Sequence, residues 1–187
     1  MTVQAPFDRV AVETALVAWV ESAAGVSCMI ANQNAPQPSH PFAELAIIAA
    51  RDYGQADEQE TNPVGAPSGQ EVQINAGKQK RITVSLNMWS STNDASQDAR
   101  ALMDKALAAL DLPSYRDTLK ASGIAVLNAP EAQSLDELES NSVVQRAQAD
   151  CFFGIAANVS ERTGYIATMQ TTSDAPIGNS TFQTVKS

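Results

Sequence analysis

The 187-residue sequence has one histidine, His40, and two cysteines, Cys28 and Cys151. A lone histidine excludes a multi-histidine metal site and the HExxH helix of zinc peptidases. The cysteines are far apart, without the CxxC spacing of a zinc or redox site and without the density of a secreted disulfide framework. We therefore predict that both cysteines are reduced, small apolar residues.

Basic residues are also scarce. Lys and Arg number 12 against 21 Asp and Glu, which gives a net charge of −9. Nucleic-acid affinity depends largely on Lys and Arg displacing counterions, so this surface should repel phosphate backbones. Residues 1–20 lack a secretion-signal pattern, and no apolar run is long enough for a membrane span. We expect a soluble protein made in a cytoplasm.

The usual signatures of catalysis and nucleotide binding are missing from the sequence. It contains no GxSxG elbow, no GxxxxGK[ST] loop and no GxGxxG turn. His40 could act as a general base, but it lies between Ser39 and Pro41 in a proline-rich stretch, where an exposed loop histidine is the favoured interpretation. We predict no catalytic, cofactor or metal site. An alternative stays open: a small ligand-binding domain or enzyme that uses the loop around His40.

Apolar spacing predicts two main helices. The first covers Phe7 to Ala24 and ends at Gly25, and the second covers Ala99 to Leu110, with N-cap candidates in residues 91–94. Pro113 begins a short third helix through Lys120.

Alternating apolar residues predict the strands. They are Phe42 to Ile48, a long β-hairpin over residues 71–89 with its turn at 75–78, Ile124 to Leu127, and a long last strand over 147–157. A weak helical turn is predicted around Leu135 and Leu138. The order predicts an α+β domain, with a mostly antiparallel sheet and two main helices packed on one face. We assign residues 1–169 to this domain and 170–187 to a C-terminal arm or disordered tail.

Two charged clusters stand out. Asp57, Glu58 and Glu60 lie in a predicted exposed loop, residues 55–69, that lacks the ligand spacing of an EF-hand, so a solvated charge run is expected. Lys78, Lys80 and Arg81 form the only basic cluster. They are either a soluble hairpin tip or a docking element for an acidic surface, for example that of another copy of the chain.

Five segments, taken together and in order, resemble the bacteriophage neck and tail terminator proteins, and the neck terminator group in particular. They are ALVAWV, ANQNAPQPSHPF, ITVSLNMW, LKASGIAVLN and VVQRAQADCFFGI. The likeness extends from about Phe7 to Ile166. It implies a virion structural protein with an α+β fold, without a catalytic site or cofactor. It also implies a ring, commonly of six subunits, between the tail tube and the head-side connector, located at the neck of the virion.

This resemblance gives the polar clusters expected roles. Asn32, Gln33 and Asn34 would cap strand ends or meet a neighbouring subunit, and Lys78, Lys80 and Arg81 would contact a partner. Asp57, Glu58 and Glu60 would face the lumen and let DNA pass without specific binding. The expected partners are further copies of the chain, the tail tube protein and the head-side connector or adaptor proteins. A connector or adaptor, or a tail tube subunit of the same particle, is the alternative within this class.

Overall fold

A computed structural model describes residues 8–31, 36–61, 64, 72–91, 97–139 and 142–163. Its helices are α1 (Arg9–Ala24), α2 (Ala99–Ala109) and α3 (Pro113–Ala121). The side chain of Asp8 caps α1 by accepting a hydrogen bond from the Ala11 backbone N–H, and Gly25 ends it in the left-handed conformation. The cap of α2 is Asp98, not one of residues 91–94, because its carboxylate accepts the Ala101 N–H at 2.6 Å.

The strands are β1 (Ser27–Ile30), β2 (Phe42–Thr61), β3 (Val72–Ser90), β4 (Ile124–Asn128), β5 (Gln133–Ser134), β6 (Glu137–Glu139) and β7 (Ser142–Thr163). Hydrogen bonding places them in the order β1-β2-β3-β7-β4, with β5 and β6 also paired to β7. The pair of β1 and β2 is parallel, whereas β4, β5 and β6 run antiparallel to β7. This confirms the predicted α+β class and the mostly antiparallel sheet.

Side-chain contacts show that β3 also runs antiparallel to both of its neighbours. Asn87 contacts Arg146 and Ser85 contacts Gln148, so residue numbers decrease along β3 in the direction in which they increase along β7. In the same way Phe42 of β2 stacks on Trp89 of β3. Asp52, further along β2, bonds to Lys80, which precedes Trp89 on β3.

The core lies between the helices and one face of this sheet. Trp19 of α1 donates to the backbone oxygen of Ala106 in α2 at 3.2 Å, and its ring meets that of Phe153 edge-on at 5.8 Å. Strands β3 and β7 direct alternate side chains into this core, as their period of two requires. These residues are Ile82, Val84, Leu86, Met88, Ala147, Ala149, Cys151, Phe153 and Ile155.

Three local predictions were wrong. Strand β2 does not end near Gly54 but continues to Thr61, so residues 55–61 belong to a strand and not to a loop. No turn interrupts residues 75–78, because β3 is continuous from Val72 to Ser90. The segment around Leu135 and Leu138 forms the short strands β5 and β6, not a helical turn. In each case a neighbouring strand supplies backbone partners, which override weak local propensity.

Backbone contacts divide the chain into two compact units. The larger comprises Ala5–Ala56 and Gly77–Asn158 and holds the helices and the core. The smaller comprises Met1–Gln4, Asp57–Ala76 and Val159–Ser187. In its described part, the Thr61 hydroxyl donates to the backbone oxygen of Gln73 at 3.4 Å. Residues 170–187 lie outside the described residues, so the assignment of 1–169 to one domain and 170–187 to an arm remains a prediction.

Candidate functional site

The proline-rich segment before β2 positions His40 against the sheet. The His40 ring is half-buried, lies 5.2 Å from the Phe42 ring and is tilted by 46° to it, so it is less exposed than predicted. Its Nδ1 is buried and has no hydrogen-bond partner among the described residues. The three predicted contact residues of this segment, Asn32, Gln33 and Asn34, lie outside the described residues and stay predictions.

A row of rings and polar groups continues from His40 across the sheet face that points away from the helices. Phe42 stacks on Trp89 at 6.1 Å, and the Arg146 guanidinium lies 4.9 Å from the centre of a Trp89 ring. Arg146 also donates to Asn87 Oδ1 at 3.0 and 3.2 Å. A cation held over an indole face and bonded to an amide is fixed in place. The row therefore orders this face of the sheet.

The basic cluster Lys78, Lys80 and Arg81 lies on β3 and is held by two different contacts. Lys78 Nζ lies 2.8 Å from Asp52 Oδ2, and Lys80 bonds to Asp52 Oδ1. These hydrogen bonds, that of Lys78 first, lower the pKa of Asp52 from 3.8 to about 2. Arg81 lies over the Phe152 ring at 5.3 Å. One carboxylate thus faces two ammonium groups, and the exposed guanidinium adds further positive charge.

The acidic cluster Asp57, Glu58 and Glu60 lies in the second half of β2, residues 50–61, which is called its outer half below. Every described side chain from Ala50 to Thr61 is exposed, so these carboxylates are fully available to solvent or to a partner. Strand geometry sends neighbouring side chains to opposite faces, which puts Glu58 and Glu60 on one face and Asp57 on the other. Their predicted location in a lumen remains a prediction.

A cavity of about 580 Å³, called here the sheet-face cavity, is lined by residues of β2, β3, β4 and β7 and by the end of α3, and it was not predicted from the sequence. Its large apolar lining residues include Tyr53, Leu127 and Phe152, and Gly154 lies beside Leu127. Lys80, Arg81 and Lys120 also line it, and no carboxylate is among its described lining residues. In the sequence, the one signal of this cavity was Phe152, an aromatic residue on the otherwise polar face of a strand. Only strand pairing brings Leu127 and Tyr53 into the same cavity.

The two cysteines pack against other residues as apolar side chains. Cys28 is half-buried and Cys151 is buried, and both are free thiols. Desolvation, with a smaller effect of Glu21, raises the pKa of Cys28 to about 12. Desolvation, with a smaller effect of Asp150, does the same for Cys151. Within the described ranges, no three His, Cys, Asp or Glu residues are grouped so as to hold a metal ion. No helix there is long and apolar enough to cross a membrane.

Comparison with known families gives one finding that decides the class. The family described as phage neck terminator protein matches residues 10–182. The chain belongs to the phage neck terminator family. The match covers the three helices, except the first residue of α1, and every described strand of the sheet, as the five segments of the sequence led us to expect. No curated protein matches the chain.

Membership gives this neck terminator a structural role in the phage particle. It implies a location in the virion and contact with other proteins on the tail side and the head side. Such contacts need surfaces that are exposed in the single chain. The paired lysines, the exposed carboxylates of β2 and the sheet-face cavity are therefore candidate partner-contact surfaces.

Proposed function

We propose that this protein forms a ring of six copies that closes the tail tube and joins it to the head-side connector, with an acidic lumen through which DNA passes. The proposed role is structural and includes no catalysis. Family membership supports the position in the particle. The ring is supported by one observation in particular, the extended and fully exposed outer half of β2.

A strand of 20 residues is several times the usual length of about 5–6 residues. From Ala50 onward its described side chains are exposed, so burial in the protein's own core does not account for that length. Exposed strands carry backbone groups and side chains that a neighbouring chain can pair with. In a closed ring each subunit presents one surface to the next, and strand segments of this kind are suited to that contact.

The basic cluster is the proposed partner of acidic surface on the next copy. Lys78, Lys80 and Arg81 carry positive charge on a chain whose net charge is −9. Electrostatic complementarity of this kind sets the register of a contact and raises its association rate. Asp52 offsets part of the cluster's charge and holds the two lysines in a defined geometry.

The test is the oligomeric state of charge-reversed variants. Size-exclusion chromatography with light scattering should show a ring for the unaltered chain, and Lys78→Glu with Arg81→Glu should shift it toward monomer. Lys105→Glu, an exposed position on α2, is the charge control and should leave the ring intact. A ring that persists in the double variant would remove the basic cluster from the contact. A chain that is monomeric alone and absent from isolated phage necks would refute the proposal.

A further inference from the structure

The cavity on the sheet face has the properties of a socket for an apolar, acid-flanked element. Tyr53 and Leu127 are 67% and 55% exposed, which is high for large apolar side chains at the rim of a concave surface. Phe152 is half-buried beneath Arg81, and Gly154 leaves space beside Leu127. Exposed apolar surface of this kind, bordered by polar groups, is characteristic of interaction sites.

Helix α1 presents a matching apolar stripe on its outward side. Val10, Thr14 and Ala18 are exposed and follow one another at intervals of four, so they lie on one face. Val10 is 71% exposed. The Thr14 hydroxyl donates to the Val10 backbone oxygen at 2.8 Å, which satisfies the hydroxyl within the helix. The stripe is therefore less polar than its sequence suggests, whereas an outward helix face is normally charged or polar.

The two surfaces are separate parts of the larger compact unit, because Val10, Thr14 and Ala18 of α1 are not among the residues that line the cavity. Leu16 and Trp19 of α1 pack into the core that covers one sheet face, whereas Phe152 and Gly154 project from the other face of β7. Two separate surfaces of one folded unit cannot pack against each other within it. They can meet between successive copies in a head-to-tail contact, which is the kind that builds a ring.

Charge favours the same pairing. Arg81 and Lys120 lie at the cavity, and the part of its lining that the structure describes holds no carboxylate. Beside the stripe, α1 carries Glu13 and Glu21, and its one basic residue, Arg9, is paired with Glu13 at 2.7 Å. The helix thus brings net negative charge with its apolar stripe. An apolar surface bordered by carboxylates complements an apolar cavity bordered by cations.

We propose that the outward stripe of α1, centred on Thr14 and Ala18, packs into the sheet-face cavity of the next copy. This inference rests on the proposed ring and names the two surfaces that would join its subunits. It assigns Leu127, Phe152 and Tyr53 as the apolar contacts and Arg81 and Lys120 as the charged ones.

Disulfide trapping between copies tests the contact directly. Ala18→Cys and Leu127→Cys are purified separately, mixed at ring-forming concentration and oxidised. The mixture should give at least tenfold more cross-linked dimer than either variant alone. Each variant oxidised alone measures the background from the native thiols, of which Cys151 is buried and Cys28 is half-buried. Leu127→Cys mixed with Leu112→Cys, whose leucine is 52% exposed at the start of α3, is the matched control and should not cross-link.

A cavity-filling variant tests the same contact without cysteine. A Cβ at Gly154 would meet Leu127 Cδ2 at 3.5 Å, an ordinary contact, so Gly154→Ala should assemble normally. Gly154→Val places an isopropyl side chain in the cavity, two methyl groups more than Gly154→Ala, and valine is a residue type that strands favour. It should weaken assembly at least tenfold while its thermal unfolding stays close to that of Gly154→Ala.

The outcomes separate the contact from the ring. A ring that forms without the cross-link, or that survives Gly154→Val, overturns this inference and leaves the proposed function standing. Leu127→Cys that is already shielded from thiol reagents in the monomer, or that cross-links to a tail or head-side protein, also overturns it. Absence of a ring in solution and in isolated particles refutes the proposed function, and this inference with it.

Discussion

Single side chains on the sheet are held by contacts that reach across strands. Arg146 combines a ring contact with Trp89 and two hydrogen bonds to Asn87, and Arg81 lies over Phe152. The pKa of each of the two thiols, by contrast, is set mainly by burial, because a charged thiolate loses its hydration when it is enclosed. The pKa of about 12 at Cys151 therefore follows chiefly from its burial on the core face of β7, with a smaller effect of Asp150.

Both thiols should be inert in the folded protein. At pH 8 a pKa of about 12, instead of 9.0, lowers the thiolate fraction about a thousandfold, so alkylation by iodoacetamide should be slower by a similar factor than in urea. The folded state also holds the thiol proton more tightly, so stability should fall as pH rises from 9 toward 12. Mass spectrometry of alkylated protein measures the first effect. Rapid native-state alkylation of Cys151 would contradict its burial.

The residues at which the helices begin and end determine their limits as much as the apolar stripes do. Helix α1 has a carboxylate cap at Asp8 and a glycine at φ +73° after its last turn. Gly123 has φ +74° between α3 and β4. Glycine adopts this left-handed conformation without a Cβ clash, whereas other residues are strained there. By contrast, Gly154 lies within β7, and its value to the protein is the space it leaves on the sheet face.

A pair of identical substitutions separates these two uses of glycine. Gly25→Ala should lower the free energy of unfolding by about 1 kcal/mol, because alanine is strained at positive φ. Gly154→Ala should change it by less than about 1 kcal/mol, because its Cβ would make only ordinary contacts. Urea unfolding at one fixed protein concentration measures both. A loss at Gly25 no larger than that at Gly154 would contradict the strain argument, because a Cβ at Gly25 would meet nothing within 4 Å and could not be unfavourable for lack of space.

For the whole molecule, charge is distributed unevenly between surfaces. The excess of carboxylates includes the exposed Asp57, Glu58 and Glu60 of β2, whereas the basic cluster is gathered on β3. In the proposed ring, the basic cluster would contact the neighbouring subunit and the acidic cluster would line the lumen. Repulsion from an acidic wall would let DNA slide past it instead of binding.

Reversing the acidic cluster should affect DNA passage but not assembly. Phage carrying Asp57→Lys, Glu58→Lys and Glu60→Lys should eject DNA more slowly, by about tenfold or more, because three cations per subunit would bind the passing phosphates. The control makes the same change at the exposed Asp117, Glu131 and Asp136, outside β2. Ejection is followed by the fluorescence of released DNA. Unchanged kinetics in the β2 variant would remove these residues from the lumen.

Salt should loosen the ring if the basic cluster contributes to it. Raising ionic strength from 0.1 to 1 M shortens the screening length from about 10 to about 3 Å, which weakens attraction between exposed charges. We expect the midpoint concentration for assembly to rise about tenfold, as measured by light scattering. In the Lys78→Glu, Arg81→Glu variant this dependence should be much smaller. A wild-type ring that tightens in salt would show that apolar packing alone holds it together.

The fold class could be predicted from the sequence because its signals are local. Apolar residues at helical spacing in α1 and α2, alternation along β7 and the glycines after helices reflect the covalent geometry of the backbone, which is the same in any context. The absence of histidine clusters and nucleotide motifs could likewise be read directly. The family resemblance followed from the order of short segments, and comparison confirmed it.

Only the tertiary structure decided where β2 ends, that residues 75–78 continue a strand, and that Leu127 lies beside Phe152. The exposed outer half of β2 and the polar start of β3 lack the apolar alternation that identifies a strand, and their conformation depends on backbone partners distant in the sequence. The sheet-face cavity depends on the register of β4 against β7 in the same way. The residues themselves thus determined which elements form and what chemistry is missing, whereas long-range pairing decided which surfaces the protein offers to its partners.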